Sequence, residues 1–213
     1  MELNNSTLHS QLSKLLKMKT KIGLFFGSFN PIHNGHLMLA NYIAEYGDMD
    51  EIWFVVSPQN PFKDKKSLLA DRHRMYMVEM AVKGDERFQV CDIEFYMPQP
   101  SYTIDTLTRL QERHPNTDFY LICGMDSLET FPKWKNYEMI LKYHHLLVYP
   151  RKGYSSNELV NHPSVTMVEA PEIDVSSTFI RNAIAEGKDV RYFMPKEVAQ
   201  YIVDMHFYEK KEK

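Results

Sequence analysis

The strongest constraint on the fold lies at residues 22–36. An apolar run, Ile22-Gly23-Leu24-Phe25-Phe26, leads into Gly27-Ser28-Phe29-Asn30-Pro31-Ile32-His33-Asn34-Gly35-His36, and that stretch into the helical pattern Leu37-Met38-Leu39-Ala40. A buried strand, a glycine-punctuated turn and a helix follow one another with no spare residues. The same alternation then recurs. Strands are predicted over residues 21–26, 51–57, 88–91, 118–123, 145–149 and 166–169. Helices are predicted over 37–46, 71–83, from Ser101 or Thr103 to 114, and over 126–131, 176–186 and 195–206, with Gly84, Pro115 and Gly187 as stops. Repeated strand–helix alternation implies an α/β fold: a doubly wound, mostly parallel sheet with helices on both faces. In such sheets ligands bind at the carboxyl ends of the strands, which is where the turn at 27–36 falls.

That turn carries chemistry of its own. Unpaired N–H groups and the positive end of the helix dipole make a helix start an anion site. Gly27 and Gly35 let the backbone approach a ligand, Pro31 stiffens the turn, and His33 and His36 can each offer a ring N–H to an anionic oxygen. Two histidines three apart could also share a metal, but no nearby Cys, Asp or Glu supplies a third ligand, and they could simply cap or pack. Neither the common NTPase loop nor the dinucleotide fingerprint occurs. A second anion site is read at Asp174-Val175-Ser176-Ser177-Thr178-Phe179-Ile180-Arg181. Ser176 or Ser177 would cap a helix there, and Arg181 brings a fork suited to phosphate; the alternative is an ordinary capped helix with a surface arginine.

Composition narrows the field. The chain has 213 residues, enough for a sizeable core, and its net charge of -3 leaves no basic footprint for general nucleic-acid binding. No apolar run is long enough to span a membrane. Two cysteines, Cys91 and Cys123, each within an apolar stretch, read as buried free thiols consistent with a cytoplasmic, reducing setting. Residues 1–20 carry leucines at positions 8, 12, 15 and 16 and read as a loose extension or short helix. Residues 21–213 read as a single domain, and a homo-oligomer is compatible with it. The run Asp71-Arg72-His73-Arg74 reads as a solvated first helical turn, and His144-His145 as structural.

Taken together, the turn G-x-F-x-P-x-H-x-G-H and the later V-S-S-T-x-I-R resemble the nucleotidyltransferase superfamily that shares the HxGH signature, whose fold is Rossmann-like. Pro100-Ser101-Tyr102-Thr103 and Gly124-Met125-Asp126-Ser127-Leu128, followed by Phe131 and Trp134, resemble segments of the bacterial nicotinate-nucleotide adenylyltransferase family. The resemblance runs from Lys21 to about Tyr208; where that family often has P-P-H-[KR], this chain has Asn60-Pro61-Phe62-Lys63.

The resemblance implies roles. Gly27, Ser28, Phe29, His33, His36 and Lys63 would line the ATP phosphates, with Ser177, Thr178 and Arg181 holding the triphosphate from the opposite side. Gly124 and Asp126 would lie by the nucleotide sugar. Tyr102 and Thr103 would bind the nicotinate, Thr103 with neighbouring backbone receiving its carboxylate, and Trp134 would stack on the pyridine ring. A flat aromatic acid fits an exposed indole beside helix-start donors. The implied reaction is adenylyl transfer from ATP to nicotinate mononucleotide, with Mg²⁺ carried by the ATP phosphates and no metal ligands from the protein. The same chemistry on nicotinamide mononucleotide or another phosphate acceptor, and a non-catalytic nucleotide-binding module, are the rivals.

Overall fold

The central strands are apolar on both faces, a pattern that needs a sheet covered on both sides. Residues 19–58, 68–154 and 157–210 are described in the computed structural model. β1 (Thr20–Gly27), β2 (Glu51–Val56), β3 (Phe88–Cys91), β4 (Thr117–Gly124), β5 (His145–Tyr149) and β6 (Val165–Met167) form one six-stranded sheet in the order β3-β2-β1-β4-β5-β6. Every neighbouring pair is parallel. Between and after the strands run α1 (Asn34–Tyr46), α2 (Asp71–Val82), α3 (Thr103–Arg113), α4 (Met125–Thr130), α5 (Tyr137–Tyr143), α6 (Ser177–Ala185) and α7 (Lys196–Asp204).

Side chains alternate across the sheet as the two-residue strand period requires. Phe25, Ile52, Phe54, Val56, Ile122 and Leu147 enter one core, packed with Leu39, Ala40 and Ile43 of α1, Met77 and Val78 of α2, Ile180 of α6 and Val198 of α7. Ile22, Leu24, Val55, Phe119, Leu121, Cys123, Leu146 and Val148 enter the other, with Leu107 and Leu110 of α3, Leu128 of α4 and Ile140 of α5. The α/β doubly wound architecture is therefore as the alternation predicts. Register pairs Phe25 with Ile122 and Gly27 with Val56, so the turn after β1 emerges between the ends of β2 and β4. Strand order reverses there, and a crevice opens at that switch point.

Several boundaries move by a residue or two. The helix expected from Ser176 begins at Ser177, with Ser176 as its cap. The strand expected at 166–169 is Val165–Met167, and the last helix ends at Asp204 rather than 206. No sequence period announces α5, which is only seven residues long, follows polar Lys135 and Asn136 and carries Lys142 within it. Neither Ser101 nor Thr103 caps α3: the cap position is Tyr102, with no side-chain hydrogen bond. Among the described residues no helix is long and apolar enough to cross a membrane. The expected N-terminal extension lies outside the described residues, apart from Lys19 and Thr20, which opens β1.

Candidate active site

The turn after β1 is held in an extreme backbone form. Phe29 has φ 42°, in the left-handed region that non-glycine residues adopt only when their surroundings impose it. Its ring is buried and packs edge-on against Phe25, His36 and Phe54 at centroid distances of 5.9, 5.1 and 5.6 Å. Gly27 makes room for it, since a Cβ there would meet the Phe29 ring at 2.7 Å. Two further side chains grip the turn from α6. The Arg181 Nη1–H donates to the Asn30 carbonyl (2.9 Å), and the Ser177 hydroxyl donates to the Pro31 carbonyl (2.8 Å). The Tyr208 hydroxyl, from the C-terminal segment, donates to Asn30 Oδ1 at 2.8 Å.

His33 and His36 stand stacked at the start of α1, ring centroids 3.7 Å apart and 22° from parallel. The His33 backbone N–H donates to His36 Nδ1 at 3.2 Å. An accepting Nδ1 makes Nε2 the N–H donor of the neutral His36 ring. The His33 ring is buried, and its Nδ1 faces the backbone that opens α1 as half of a capping box, without a well-aligned hydrogen bond. Burial first, and the positive charge of Arg151 second, push the His33 pKa down to about 4. This ring is therefore a neutral hydrogen-bonding group near neutral pH, and among the described residues bordering the cleft Arg151 and Arg181 carry permanent positive charge.

These groups line a cleft of about 680 Å³. Gly27, Ser28, Phe29, His33, His36, Thr103, Gly124, Asp126, Trp134, Ser177, Thr178 and Arg181, gathered from distant parts of the sequence, all border it. Ser176 caps α6 by accepting from the Phe179 N–H (3.2 Å), and Arg181 Nη2 donates to Thr178 Oγ1 (3.3 Å). On the far wall Thr103 opens α3, and half-buried Trp134 leans on Phe131 at 5.0 Å. Asp126, in the first turn of α4, has a buried Oδ1 3.4 Å from Arg151 Nε: an ion pair without a hydrogen bond, leaving that oxygen able to accept. Gly124 is fixed by these neighbours, as a Cβ would come within 2.3 Å of Asp126 Oδ1.

Three sequence expectations are corrected. Tyr102 does not border the cleft; it is exposed in an outer groove with Lys135 Nζ 4.7 Å from its ring centroid. The Ser177 hydroxyl proton is committed to Pro31, so this side chain tethers the helix to the turn rather than offering a free donor. Arg74, read as part of a solvated turn, is fully buried. Lys63 and its loop lie outside the described residues.

Other site residues had no clear signal in the sequence. Arg151, just past β5, borders both the cleft and a side pocket of about 140 Å³ beside His33. Glu94 is buried at the cleft wall and accepts from the Ser101 and Thr106 hydroxyls, both at 2.8 Å, which pins the segment leading into α3. Cys91 and Cys123 are free, buried thiols, with burial raising their pKa to about 11 and about 12. His144 is buried too, and burial lowers its pKa.

A doubly wound sheet with two helix starts bordering one cleft at its switch point has the layout of a nucleotide-binding transferase. Comparison with known proteins gives the family. Residues 24–183 match the pattern of the cytidylyltransferase-like family. A Flavobacterium johnsoniae protein named as a probable nicotinate-nucleotide adenylyltransferase is 49% identical over 192 residues, covering 89% of this chain and 100% of its own. A Bacteroides fragilis protein of the same name is 48% identical over 185 residues, covering 87% and 92%. The solved structure of a Plasmodium falciparum nicotinic acid mononucleotide adenylyltransferase, complexed with NaAD, shares the fold. Its TM-score is 0.75 at 21% identity, over 89% of this chain and 97% of that one. This chain belongs to the cytidylyltransferase-like family and, within it, to the nicotinate-nucleotide adenylyltransferases.

Proposed function

We propose that the 5′-phosphate of nicotinate mononucleotide attacks the α-phosphorus of ATP in this cleft. The new P–O bond gives nicotinate adenine dinucleotide, the bond to the β-phosphate oxygen breaks, and pyrophosphate leaves with that electron pair. The acceptor phosphate has its second pKa at about 6, so it is largely dianionic at neutral pH and needs no general base. The work left to the protein is in-line positioning and neutralisation of charge on the phosphoryl oxygens.

The observation that carries this reading is the convergence in one cleft of the stacked His33/His36 pair, the α6 start with Arg181, and the Thr103/Trp134 wall. On this reading His36 Nε2–H and Arg181 contact the triphosphate, with Lys63 reaching it from its loop. Oδ1 of Asp126 finds a partner in the nucleotide. The side pocket walled by Tyr149, Arg151, Pro171 and Ile173 takes the adenine ring. Trp134 stacks on the pyridine and Thr103 meets its carboxylate.

ATP enters as its magnesium complex. Among the described residues no group of three His, Cys, Asp or Glu side chains could cage a metal ion, and the donor set fits a Mg²⁺ held by phosphate oxygens and water. The reaction is assigned to the cytosol, in keeping with two free buried thiols.

The test is pyrophosphate release on mixing ATP with the acid or the amide mononucleotide. Clear preference for the acid is expected. Equal rates with both would remove the assigned role of Thr103 and Trp134.

A further inference from the structure

Arg74 lies in the first turn of α2, behind the cleft and outside its lining, with no exposed surface. A guanidinium has five N–H groups, and here all five are engaged. Nε–H donates to the Leu69 carbonyl (3.1 Å). Nη1 donates to the carbonyls of Ser28 and Ser57, the latter at 2.9 Å. Nη2 donates to the Pro58 carbonyl (3.2 Å) and the Asp71 carboxylate (2.7 Å). One side chain thus ties the turn after β1 to the end of β2 and to the segment entering α2.

The bond to Ser28 sets the direction of a donor. The carbonyl of Ser28 and the N–H of Phe29 belong to one planar trans peptide and point opposite ways. Drawing the carbonyl back onto Arg74 turns the Phe29 N–H forward, and Ser28 and Phe29 both border the cleft. Phe29 holds φ 42°, a conformation that lasts only where neighbours enforce it. Arg74 grips the carbonyl before this residue, and Arg181 the carbonyl after it.

We infer that Arg74 is a positioning residue of the anion site: it fixes the Ser28–Phe29 peptide with its N–H toward substrate phosphate. The inference rests on the phosphate-binding reading of the cleft, not on which acceptor is used. Lysine cannot substitute, because a point charge with three donors cannot span these carbonyls in one plane.

The test uses the full chain and a non-hydrolysable ATP analogue, with affinity read by calorimetry. Arg74→Lys, confirmed as folded by a cooperative melt, is expected to bind the analogue about tenfold more weakly, as for a lost charge-assisted hydrogen bond. Its KM for ATP is expected to rise more than its KM for the mononucleotide. A purely structural role predicts a lower melting temperature with unchanged affinity in the folded protein, and that result overturns the proposal. If Arg74→Lys does not fold, Asp71→Glu decides, since it keeps the negative charge, moves the carboxylate off Arg74 Nη2 and lies at a half-exposed position. A loss of about two- to threefold is expected there, and unchanged affinity overturns the proposal. Wild-type chain that binds the analogue yet makes no dinucleotide would refute the proposed reaction while leaving Arg74 to stand or fall on the variants. Wild-type chain that does not bind the analogue overturns both.

Discussion

His33 shows how a buried side chain ties stability to pH. Its folded pKa of about 4 lies below the ordinary histidine value of 6.5, so the unfolded chain binds the proton more readily. The resulting stability is fully present above pH 6.5 and is lost as pH falls towards 4. Between pH 7 and pH 5 the expected loss is roughly 2 kcal/mol. Denaturant melts at the two pH values check this, and His33→Gln should flatten the slope. For His36, whose Nε2–H is assigned to the transferring phosphates, His36→Ala should cost about two to three orders of magnitude in kcat with the fold retained. Near-normal turnover by a folded variant would contradict that assignment. At this scale the sequence revealed what local spacing reveals: two histidines three apart, a serine pair and an arginine one turn later. It hid Arg74, because charges in a first helical turn are normally solvated, and only the tertiary meeting of two strand ends buries this one. It hid Arg151 and Glu94 for the same reason, since their partners Asp126, Ser101 and Thr106 lie 7 to 25 residues away.

Among the elements, α6 depends most visibly on its first residues. Ser176 caps it, and Ser177 fastens it to the turn that precedes α1. Ser176→Ala should cost about 1 kcal/mol, the usual value of a lost cap, seen as a lower denaturation midpoint. Ser177→Ala removes the tether at Pro31 instead, and its expected signature is a higher KM for ATP with little change in melting temperature. An effect confined to stability would mean that the helix start does not need to be held against the turn. The long strands and the glycine-stopped helices were readable because their apolar periods extend over enough residues. Short α5 and the uncapped start of α3 were not, because packing on Ile140 and the Glu94 hydrogen bonds decide them. Tyr102 illustrates the limit: adjacent to Thr103, it points its ring the other way, as neighbours at a helix start often do.

For the molecule as a whole, the strand order places one crevice between the β1 turn and the β4–α4 junction, and the described residues assigned to the triphosphate and the pyridine lie around it. The alternation of strand and helix made that crevice predictable; its far wall was legible only through family resemblance, because nothing in spacing alone connects Trp134 to His36. A ligand seated across both walls should stabilise the fold. At 100 times its dissociation constant the ATP analogue should add about 2.7 kcal/mol, raising the melting temperature by about 5–10 °C. The most direct measurement follows the label from ATP carrying a radioactive α-phosphorus, incubated with nicotinate mononucleotide and the 213-residue chain. The account predicts that the label moves into nicotinate adenine dinucleotide, with one pyrophosphate released per dinucleotide formed. Label remaining in ATP, or appearing only as free AMP, would contradict it.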